Sequence, residues 1–331
     1  MKRIIQVGVG GMGREWTDVV AASSAWAGVA YVDTNEANLI AAAARHGMPR
    51  DRCFTDYREA IAVVEAEALL DVTPQRFRRQ VCAEAFRRGL HVLCEKPLAP
   101  TVKDAKDLVA RAKQAKRTLM VAQNYRYQPV TQTIKRFIEK GRLGDVGYVE
   151  IRFHKGPHFG GYREEMPYPL ILDMSIHHVD MLRGVLGTDI ASVQAASVGA
   201  PWSWYKGDAT VMAQWRCENG ATANYCASWV SGGWETTWNA DWRFDGSKGA
   251  LMLEGEQVFF SDKPGSRRAV PLVKFEPAHQ AWLLEAFARA LTANTEPETS
   301  GRDNLNSLAA THAMVRAAKE RRWVTVRELL A

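Results

Sequence analysis

Two adjacent histidines and two aspartates stand in the otherwise apolar segment ILDMSIHHVD at residues 171–180. At helical spacing Asp173, His177 and Asp180 fall within about 60° of one another, whereas His178 points about 100° away from His177. Apolar residues on nearly every side predict that this helix is buried. Its polar stripe has three interpretations: a metal site, a proton-transfer group, or a hydrogen-bonded pair that only stabilises a core.

The metal interpretation is the weakest of the three. Adjacent histidines on one helix do not readily face a single ion, and Asp173 with His177 supplies fewer ligands than the roughly three or four expected. The sequence has neither an HExxH motif nor a third ligand cluster, so we predict no metal. A carboxylate that orients an imidazole also sets its tautomer and basicity, which suits proton exchange with a substrate hydroxyl. A buried aspartate needs a partner in any case, so the pair also fits a purely structural role.

A second residue suited to acid–base chemistry is Lys96, which lies between Glu95 and Pro97 directly after the apolar strand at 91–94. The proline biases the residue before it to extended backbone. Lysine amines have a pKa near ~10.4 in water, so a role at neutral pH requires burial or a nearby positive charge such as an oxidised nicotinamide. The alternative is a surface lysine paired with Glu95.

A glycine turn follows the short strand RIIQV at residues 3–7, with Gly8, Gly10 and Gly13 in the pattern GxGxxG. The first glycine permits a tight turn, the second lets a pyrophosphate approach the backbone, and the third lets a helix pack on the strand. Asp33 ends the next strand twenty residues after Gly13, where a carboxylate accepts hydrogen bonds from a ribose hydroxyl. This order predicts a dinucleotide site that favours NAD, with NADP possible.

Strands and helices alternate through the first third of the chain, a pattern typical of a parallel, doubly wound sheet. Ligands bind such sheets beyond the carboxyl ends of the strands, where Thr73-Pro74 and Glu95-Lys96 lie. From Gly147 onwards, short strands with turn signals predict a mostly antiparallel sheet, followed by two helices. The elements predicted for the first third are strands 3–7, 28–32, 68–72, 91–94 and 118–122 and helices 35–46, 57–65, 75–89 and 101–116. The later predicted helices are 278–292 and 301–321.

The composition is that of a globular protein, with 331 residues of which 47% are hydrophobic and 24% charged. The net charge of +6 is a mild bias and the arginine runs lie at helical spacing, so we predict no nucleic-acid partner. Five cysteines without a CxxC pair favour free thiols in a reducing compartment, hence a cytoplasmic location. Neither a signal peptide nor a membrane segment is expected.

Seven of the eleven tryptophans lie between residues 202 and 242. We expect most of them to cover the antiparallel sheet, with sugar stacking or a subunit contact as the alternatives. The connection at 156–169, GPHFGGYREEMPYP, is either a lid or a plain linker.

Several of these motifs together resemble the Gfo/Idh/MocA oxidoreductases. The resemblance implies a Rossmann domain at residues 1–123 and an α+β domain at 124–331 with a large open, mainly antiparallel sheet that is often used for oligomerisation. It also implies hydride transfer between NAD(P) and a hydroxyl-bearing carbon of a sugar, polyol or cyclitol, in a homo-oligomer such as a dimer or tetramer. The motifs that carry it are GVGGMG at 8–13, VTP at 72–74, GLHVLCEKPLA at 89–99, NYRYQP at 124–129 and DMSIHHVD at 173–180.

The family's catalytic residues correspond to Lys96, Asp173 and His177. We hypothesise that Lys96 and His177 flank the reacting oxygen while Asp173 orients His177, and either of the first two is then the base. The predicted cofactor contacts are Gly8, Gly10, Gly11, Met12, Gly13, Asp33, Thr73, Pro74, Glu95, Lys96 and Gln123. The predicted substrate contacts are Lys96, Asn124, Arg126, His154, Asp173 and His177.

The chain departs from the family pattern at two positions. Arg78 stands where a histidine is frequent, which leaves that cofactor contact open, and Ser175 replaces a glycine, for which we expect little effect. Two other functions remain open: a redox-neutral sugar-modifying reaction in which retained NAD oxidises and re-reduces one substrate, and a non-catalytic nucleotide sensor. Intact Lys96, Asp173 and His177 argue against the sensor.

Overall fold

Two sheets, one of six strands and one of nine, organise the chain. The computed structural model describes residues 1–331. Its contacts divide them into two compact units, residues 1–124 with 276–305 and residues 125–275 with 306–331. The predicted division lay after residue 123 and did not assign residues 276–305 to the first unit.

The first unit contains the six-stranded sheet. Its strands are β1 (Lys2–Val7), β2 (Trp26–Val32), β3 (Cys53–Phe54), β4 (Ala68–Asp71), β5 (His91–Cys94) and β6 (Leu119–Val121). Its first helices are α1 (Met12–Ala21), α2 (Glu36–His46), α3 (Tyr57–Val63), α4 (Gln75–Arg87) and α5 (Val102–Ala115). All pairings are parallel, in the order β3-β2-β1-β4-β5-β6. The predicted doubly wound Rossmann sheet is therefore confirmed.

The central strands are buried on both faces, as a parallel sheet requires. Ile4, Leu69 and Leu93 have no exposed surface. Short polar side chains cap three of the helices, since Asn35, Asp56 and Thr101 accept backbone N–H groups at the starts of α2, α3 and α5. No side chain caps α1, which follows the glycine turn.

The nine-stranded sheet belongs to the second unit. The remaining elements, in chain order, are α6 (Pro129–Glu139), β7 (Val146–His154), α7 (Ile176–Leu186), β8 (Ile190–Val198), β9 (Thr210–Cys217), β10 (Thr222–Ser228), β11 (Asp241–Gly246), β12 (Gly249–Glu254), β13 (Gln257–Ser261), β14 (Arg268–Val270), α8 (His279–Ala293), α9 (Gly301–Glu320), β15 (Val324–Thr325) and α10 (Arg327–Leu330). The sheet order is β14-β13-β12-β11-β7-β10-β9-β8-β15, and only the β7–β10 pair is parallel. The predicted large, mainly antiparallel sheet is confirmed.

Buried and exposed residues alternate along β9 and β10, so one face of this sheet is covered and the other is open. Trp215, Trp229 and Trp242 lie inside, each at most 1% exposed. In contrast, Trp202 is 67% and Trp234 is 97% exposed, so the expectation that most tryptophans cover the sheet is too broad. Both exposed residues lie in connections between strands, where no sheet face is available to bury them.

The segment at 170–186 is not the single α-helix that was predicted. Residues Leu170–Ser175 form a π-helical turn, and α7 begins only at Ile176. Ser175 contributes to this geometry because its hydroxyl donates to the carbonyl oxygen of Leu170, at 3.2 Å, and lies 3.0 Å from the hydroxyl of Tyr225. The angular spacing predicted between Asp173 and the residues of α7 therefore does not apply, and π-turns occur frequently at functional sites.

The helix α8 packs within the first unit. The ring of Phe287 stacks on Trp26 with 5.3 Å between centroids, and the Trp26 indole N–H donates to the carbonyl oxygen of Leu284 at 2.9 Å. Farther along, the amide of Val121 at the end of β6 donates to the carbonyl oxygen of Thr299 at 2.8 Å. None of the helices has the length and apolar character that crossing a membrane requires.

Candidate functional site

The glycine turn after β1 leaves no room for larger residues at two of its positions. Gly8 has a φ of +90°, and a Cβ atom there would lie 2.9 Å from the carbonyl group of Val72. A Cβ atom on Gly13 would lie 2.2 Å from the carbonyl oxygen of Gly8. The buried Gln6 amide holds the turn from within the sheet, since its Nε2 donates to the carbonyl oxygens of Gly8, at 3.0 Å, and Gly13, at 2.6 Å. Gln6 is a site residue that the GxGxxG pattern does not reveal.

The outer side of the same turn is open. A Cβ atom on Gly11 would meet no atom within 4 Å, and Met12, the first residue of α1, is 45% exposed. No side chain caps α1, and the positive end of its helix dipole favours an anionic group at the turn. The turn thus has the shape and the polarity of a phosphate-binding cradle.

Asp33 directly follows β2 and binds the backbone of the glycine turn. Its Oδ2 accepts hydrogen bonds from the amides of Val9, at 3.0 Å, and Gly10, at 3.2 Å, while Oδ1 accepts one from the amide of Asn35 at 2.9 Å. Asn38 Nδ2 also donates to Oδ2, at 3.3 Å, and a Cβ atom on Gly10 would lie 2.5 Å from that Nδ2. Asn38 was not among the predicted site residues. Its only sequence signal was a polar side chain early in the helix after Asp33.

Arg78 links the loops that follow β4 and β5. The side chain is buried, and its guanidinium donates to the carbonyl oxygen of Pro97 and, at 2.6 Å, to that of Thr73. Neighbouring parallel strands place these two loops side by side, so a single buried guanidinium reaches both. Arg78, at the position where a histidine is frequent in the family, thus fixes the two loops to each other.

Asp71 holds the loop after β4 through hydrogen bonds with Thr73. Its Oδ1 accepts hydrogen bonds from the amide of Thr73, at 2.9 Å, and from the Thr73 hydroxyl, at 2.6 Å. Cys82 Sγ donates to Oδ2 at 3.4 Å. Burial raises the pKa of Asp71, and the positive charge of Arg78 acts against that rise. Since the Thr73 hydroxyl donates to Asp71, its oxygen keeps only acceptor capacity toward a ligand.

Glu95 fixes the backbone next to Lys96. The indole N–H of Trp16 donates to Glu95 Oε1 at 2.7 Å, and the amide of Lys96 donates to Oε2 at 3.1 Å. Burial raises the pKa of Glu95, and these hydrogen bonds and the charge of Lys96 oppose the rise. Through Glu95 the strand end that bears Lys96 is tied to α1, so Trp16 is a second supporting residue that the motifs did not reveal.

Gln123 follows β6 and is only 1% exposed. Neither its Oε1 nor its Nε2 has a hydrogen-bond partner within the chain. An unsatisfied buried polar group costs about 1–3 kcal/mol, so native proteins normally pair such groups with water or a ligand. Together with the open glycine turn, this amide fits a dinucleotide bound at the carboxyl edge of the sheet. Pro74 lies at the same edge, directly before α4.

In the second unit, Asp173 lies in the π-helical turn and forms an ion pair with Arg163. Arg163 Nε donates to Asp173 Oδ2 at 2.7 Å. The guanidinium belongs to the connection at 156–169, from which no charged partner of Asp173 was expected. Arg163 is therefore a candidate site residue of this unit that the sequence did not predict.

His177 is 6% exposed and lies against an aromatic ring. The ring of Tyr125 stacks on its imidazole, with 4.2 Å between centroids and 22° between the planes. Burial raises the pKa of Tyr125, so this phenol is neutral near pH 7. Tyr125 lies inside the NYRYQP motif, but the motif gives no sign that this side chain faces His177.

The second histidine of the pair is separated from the first, as helical spacing predicted. His178 Nδ1 lies 3.0 Å from the hydroxyl of Tyr225, and its Nε2 lies 3.3 Å from the carbonyl oxygen of Trp238. Complete burial lowers the pKa of His178 to about 4, so the ring is neutral and holds these elements together. His178 therefore has a packing role, and both of its ring nitrogens lie within hydrogen-bonding distance of residues of the second unit.

Asp180 pairs with an arginine of the core and does not extend the predicted polar stripe that includes Asp173. Arg126 donates to both of its carboxylate oxygens, at 2.6 Å and 2.8 Å, and the hydroxyl of Ser307 adds a bond of 2.7 Å. Asp180 and Arg126 are 1% and 5% exposed, so this bidentate pair is part of the core.

The other predicted substrate contacts lie at element ends. Asn124 begins a short 3-10 turn after β6, and His154 ends β7, where its amide donates to the hydroxyl of Thr236 at 3.1 Å. Partial burial lowers the pKa of His154. No group of three or more histidine, cysteine, aspartate or glutamate side chains is placed to hold a metal ion.

The connection at 156–169 is anchored along the segment 202–208. The carbonyl oxygen of Pro157 accepts hydrogen bonds from Trp204, at 3.1 Å, and from the hydroxyl of Tyr205, at 2.7 Å. The imidazole of His158 stacks on Trp204 with 3.9 Å between centroids. This connection is thus a packed part of the second unit, which favours the linker interpretation over a free lid.

Comparison with known proteins agrees with the division into two kinds of domain. A family model described as an oxidoreductase family with an NAD-binding Rossmann fold matches residues 2–123. The model of the Gfo/Idh/MocA C-terminal domain matches residues 131–252.

Individual relatives match along nearly the whole chain. A 1,5-anhydro-D-fructose reductase from Ensifer adhaerens is 29% identical over 96% of this chain and 96% of its own. A D-apiose dehydrogenase from Paraburkholderia graminis is 28% identical over 96% of this chain and 86% of its own. The crystal structure of an oxidoreductase from Agrobacterium radiobacter in complex with NAD+, L-tartaric acid and magnesium has the same fold, with a TM-score of 0.90 at 22% identity over 99% of each chain. With both domain models matched in order, the chain is an enzyme that belongs to the Gfo/Idh/MocA family of NAD-dependent oxidoreductases.

Proposed function

We propose that this enzyme transfers a hydride reversibly between NAD and a hydroxyl-bearing carbon of a sugar, polyol or cyclitol. The observation that carries the proposal is the arrangement of one sheet edge. Because β1, β4 and β5 are neighbouring parallel strands, the glycine turn, Thr73 and Lys96 all follow carboxyl ends of the same sheet. This arrangement supports a dinucleotide cradle at the same edge as an amine suited to proton transfer.

The proposed cofactor contacts are those predicted from the sequence, with additions from the structure. Gly8, Gly10, Gly11, Met12 and Gly13 form the cradle, and Asp33 is the acceptor for ribose hydroxyls. Bound NAD supplies the hydride acceptor or donor. The chain supplies a polar partner for the cofactor in Gln123, whose buried amide has no bond within the protein.

The proton of the substrate hydroxyl is handled, in this proposal, by Lys96 and His177. Glu95 fixes the backbone of Lys96, and Tyr125 holds the imidazole plane of His177. In the same proposal, Asp173 orients His177 and supplies a local negative charge. General acid–base groups of this kind contribute about 10²- to 10⁴-fold to turnover.

The relatives support this substrate class. Two that match nearly the whole chain are named as a reductase of 1,5-anhydro-D-fructose and a dehydrogenase of D-apiose, both sugars. We retain Asn124 and His154 as substrate contacts. We assign Arg126 to the core instead, because its guanidinium is bidentate to Asp180.

We further propose a homo-oligomer and a reducing compartment. The open face of the nine-stranded sheet leaves side chains such as Met212, 47% exposed, available to a second copy. All five cysteines are free thiols, as suits the cytoplasm.

A substrate panel tests the proposed function. The enzyme is mixed with sugars, cyclitols and sugar acids, each with NAD and with NADP, and the absorbance of the reduced cofactor is followed. We expect NADH formation with at least one neutral sugar or cyclitol and a weaker response with NADP. No reduction of either cofactor across the panel, or in the reverse direction with the corresponding ketoses, contradicts the proposal.

A further inference from the structure

We propose that Arg163 is a positioning residue for Asp173, which it holds ionised and in one orientation during turnover. The role rests on the proposed function, since that function gives Asp173 its part in the reaction. None of the motifs includes Arg163, which lies in the connection at 156–169.

The contact between the two side chains is short and partly sheltered. Arg163 Nε lies 2.7 Å from Asp173 Oδ2, and the two side chains are 35% and 14% exposed. Exposed ion pairs contribute little because water screens them and both side chains lose freedom. Here the carboxylate is largely out of water, so the guanidinium acts on it with less screening.

Aromatic rings restrict the guanidinium on its own loop. The central carbon of Arg163 lies 5.1 Å from the ring centroid of Phe159 and 5.1 Å from that of Tyr162. Phe159 in turn packs edge-on against the buried Trp229, with 5.2 Å between centroids. The arginine is therefore oriented before any substrate binds, and a pre-oriented charge loses little entropy when it holds a partner.

Two phenols of the second unit, Tyr125 and Tyr205, feel the charge of Asp173. His177 lies four residues farther along the chain, on α7. Burial raises the pKa of Tyr125 and raises that of Tyr205 to about 12, so both phenols are neutral at working pH. The imidazole changes its charge during proton transfer. Among these groups, only the guanidinium is positive at every pH of interest, and a nearby positive charge favours the ionised carboxylate.

Removal of the charge should move the pH dependence of the enzyme. The acid limb of a kcat/KM profile reports essential groups of the free enzyme. With a sugar found in the panel, we expect Arg163→Met to lower kcat/KM at pH 7 roughly tenfold and to shift the acid limb upward by about one pH unit. We expect Arg163→Lys, which retains the charge, to restore the limb to within about 0.3 pH units.

A matched control removes another ion pair made by the same connection. Lys206 forms an ion pair with Glu165, which anchors 156–169 without touching Asp173. Lys206→Met should keep the wild-type profile, and the melting temperature of every variant shows whether it is folded. If Arg163→Met melts more than about 5 °C below the wild type, Arg163→Gln takes its place as the neutral variant.

The outcomes separate this role from the proposed function. An unshifted acid limb in the folded neutral variant overturns the role of Arg163, as does a shift of equal size in Lys206→Met. Asp173→Asn is assayed alongside, and full turnover in that variant overturns the part assigned to Asp173 in the proposed function instead.

Discussion

The phenol ring of Tyr125 lies flat against the imidazole of His177, with 4.2 Å between their centroids. The stack restrains the plane of the histidine that we propose exchanges a proton with the substrate hydroxyl. Aromatic pairs contribute about 0.5–1.5 kcal/mol beyond the area they bury, which corresponds to roughly two- to tenfold in rate. We predict that Tyr125→Ala lowers kcat by about this factor while Tyr125→Phe, which keeps the ring, stays near wild type. Equal steady-state kcat values for the two variants would refute a role for the stack.

Arg78 offers a prediction about stability. Its removal leaves the carbonyl oxygens of Thr73 and Pro97 without their buried donor, at about 1–3 kcal/mol for each. We expect Arg78→Met to lower the free energy of unfolding by roughly 2–4 kcal/mol and to weaken NAD binding, because both loops border the cradle.

The neighbouring Arg79 is the control for this experiment. It is about half exposed and pairs with Asp107 on the surface, so Arg79→Met should cost at most about 1 kcal/mol. Urea-induced unfolding of both variants compares the two costs, and similar values for Arg78 and Arg79 would show that the buried bridge contributes no more than a surface pair.

Much of the first unit was predictable from the sequence because local signals dominate there. The apolar strands, the glycine turn and Asp33 act through neighbours in sequence, and Lys96 could be assigned to a strand end because it follows an apolar strand and precedes a proline. Gln6, Trp16 and Asn38 could not be placed, since each meets its partner only after strands and helices pack. The helix α6 did carry a signal, with proline at its first position and Val130, Ile134 and Phe137 on its buried face, but it was not among the predicted elements.

The second unit was less predictable because its decisive contacts join distant segments. The π-helical turn involves a bond between Ser175 and Tyr225, fifty residues apart, and no helical periodicity contains that information. The same holds for Arg163, which reaches Asp173 from an irregular connection. The separation of His177 from His178 was predictable, since it follows from the geometry of one turn of helix.

The position of Asp33 leads to a prediction about the preference for NAD over NADP. Its carboxylate accepts hydrogen bonds from the amides of Val9 and Gly10, and in the proposed binding mode its negative charge repels a 2'-phosphate. We expect Asp33→Ala to reduce kcat/KM for NAD roughly tenfold and to bring the values for NAD and NADP closer together, by loss of about one charged hydrogen bond. Asn35→Ala, which removes only the cap of α2, should leave the NAD/NADP ratio unchanged. A wild-type enzyme that prefers NADP would contradict the role of Asp33.

His178 gives a pH dependence with a defined sign. Its pKa is about 4 in the folded chain and near ~6.5 in an unfolded one, so the unfolded state takes up the proton first as pH falls. The stabilisation is complete above pH ~6.5 and is lost as pH falls from there toward the folded pKa. Between pH 6 and pH 5, we expect wild-type stability to fall more steeply than that of His178→Gln, by up to about 1.4 kcal/mol per pH unit.

The control for this effect is His158→Gln, which alters an exposed histidine of the same unit. Urea-induced unfolding at several pH values gives the slopes. We expect a wild-type slope for His158→Gln, and identical slopes for His178→Gln and the wild type would show that His178 titrates normally.

The most direct test of the central claim is the turnover of two single variants, Lys96→Met and His177→Ala, with the best substrate of the panel. If both residues handle the proton, kcat falls about 10²- to 10⁴-fold in each, while His177→Ala binds NAD as the wild type does. Turnover within about tenfold of wild type in both variants would contradict the claim that Lys96 and His177 carry the proton.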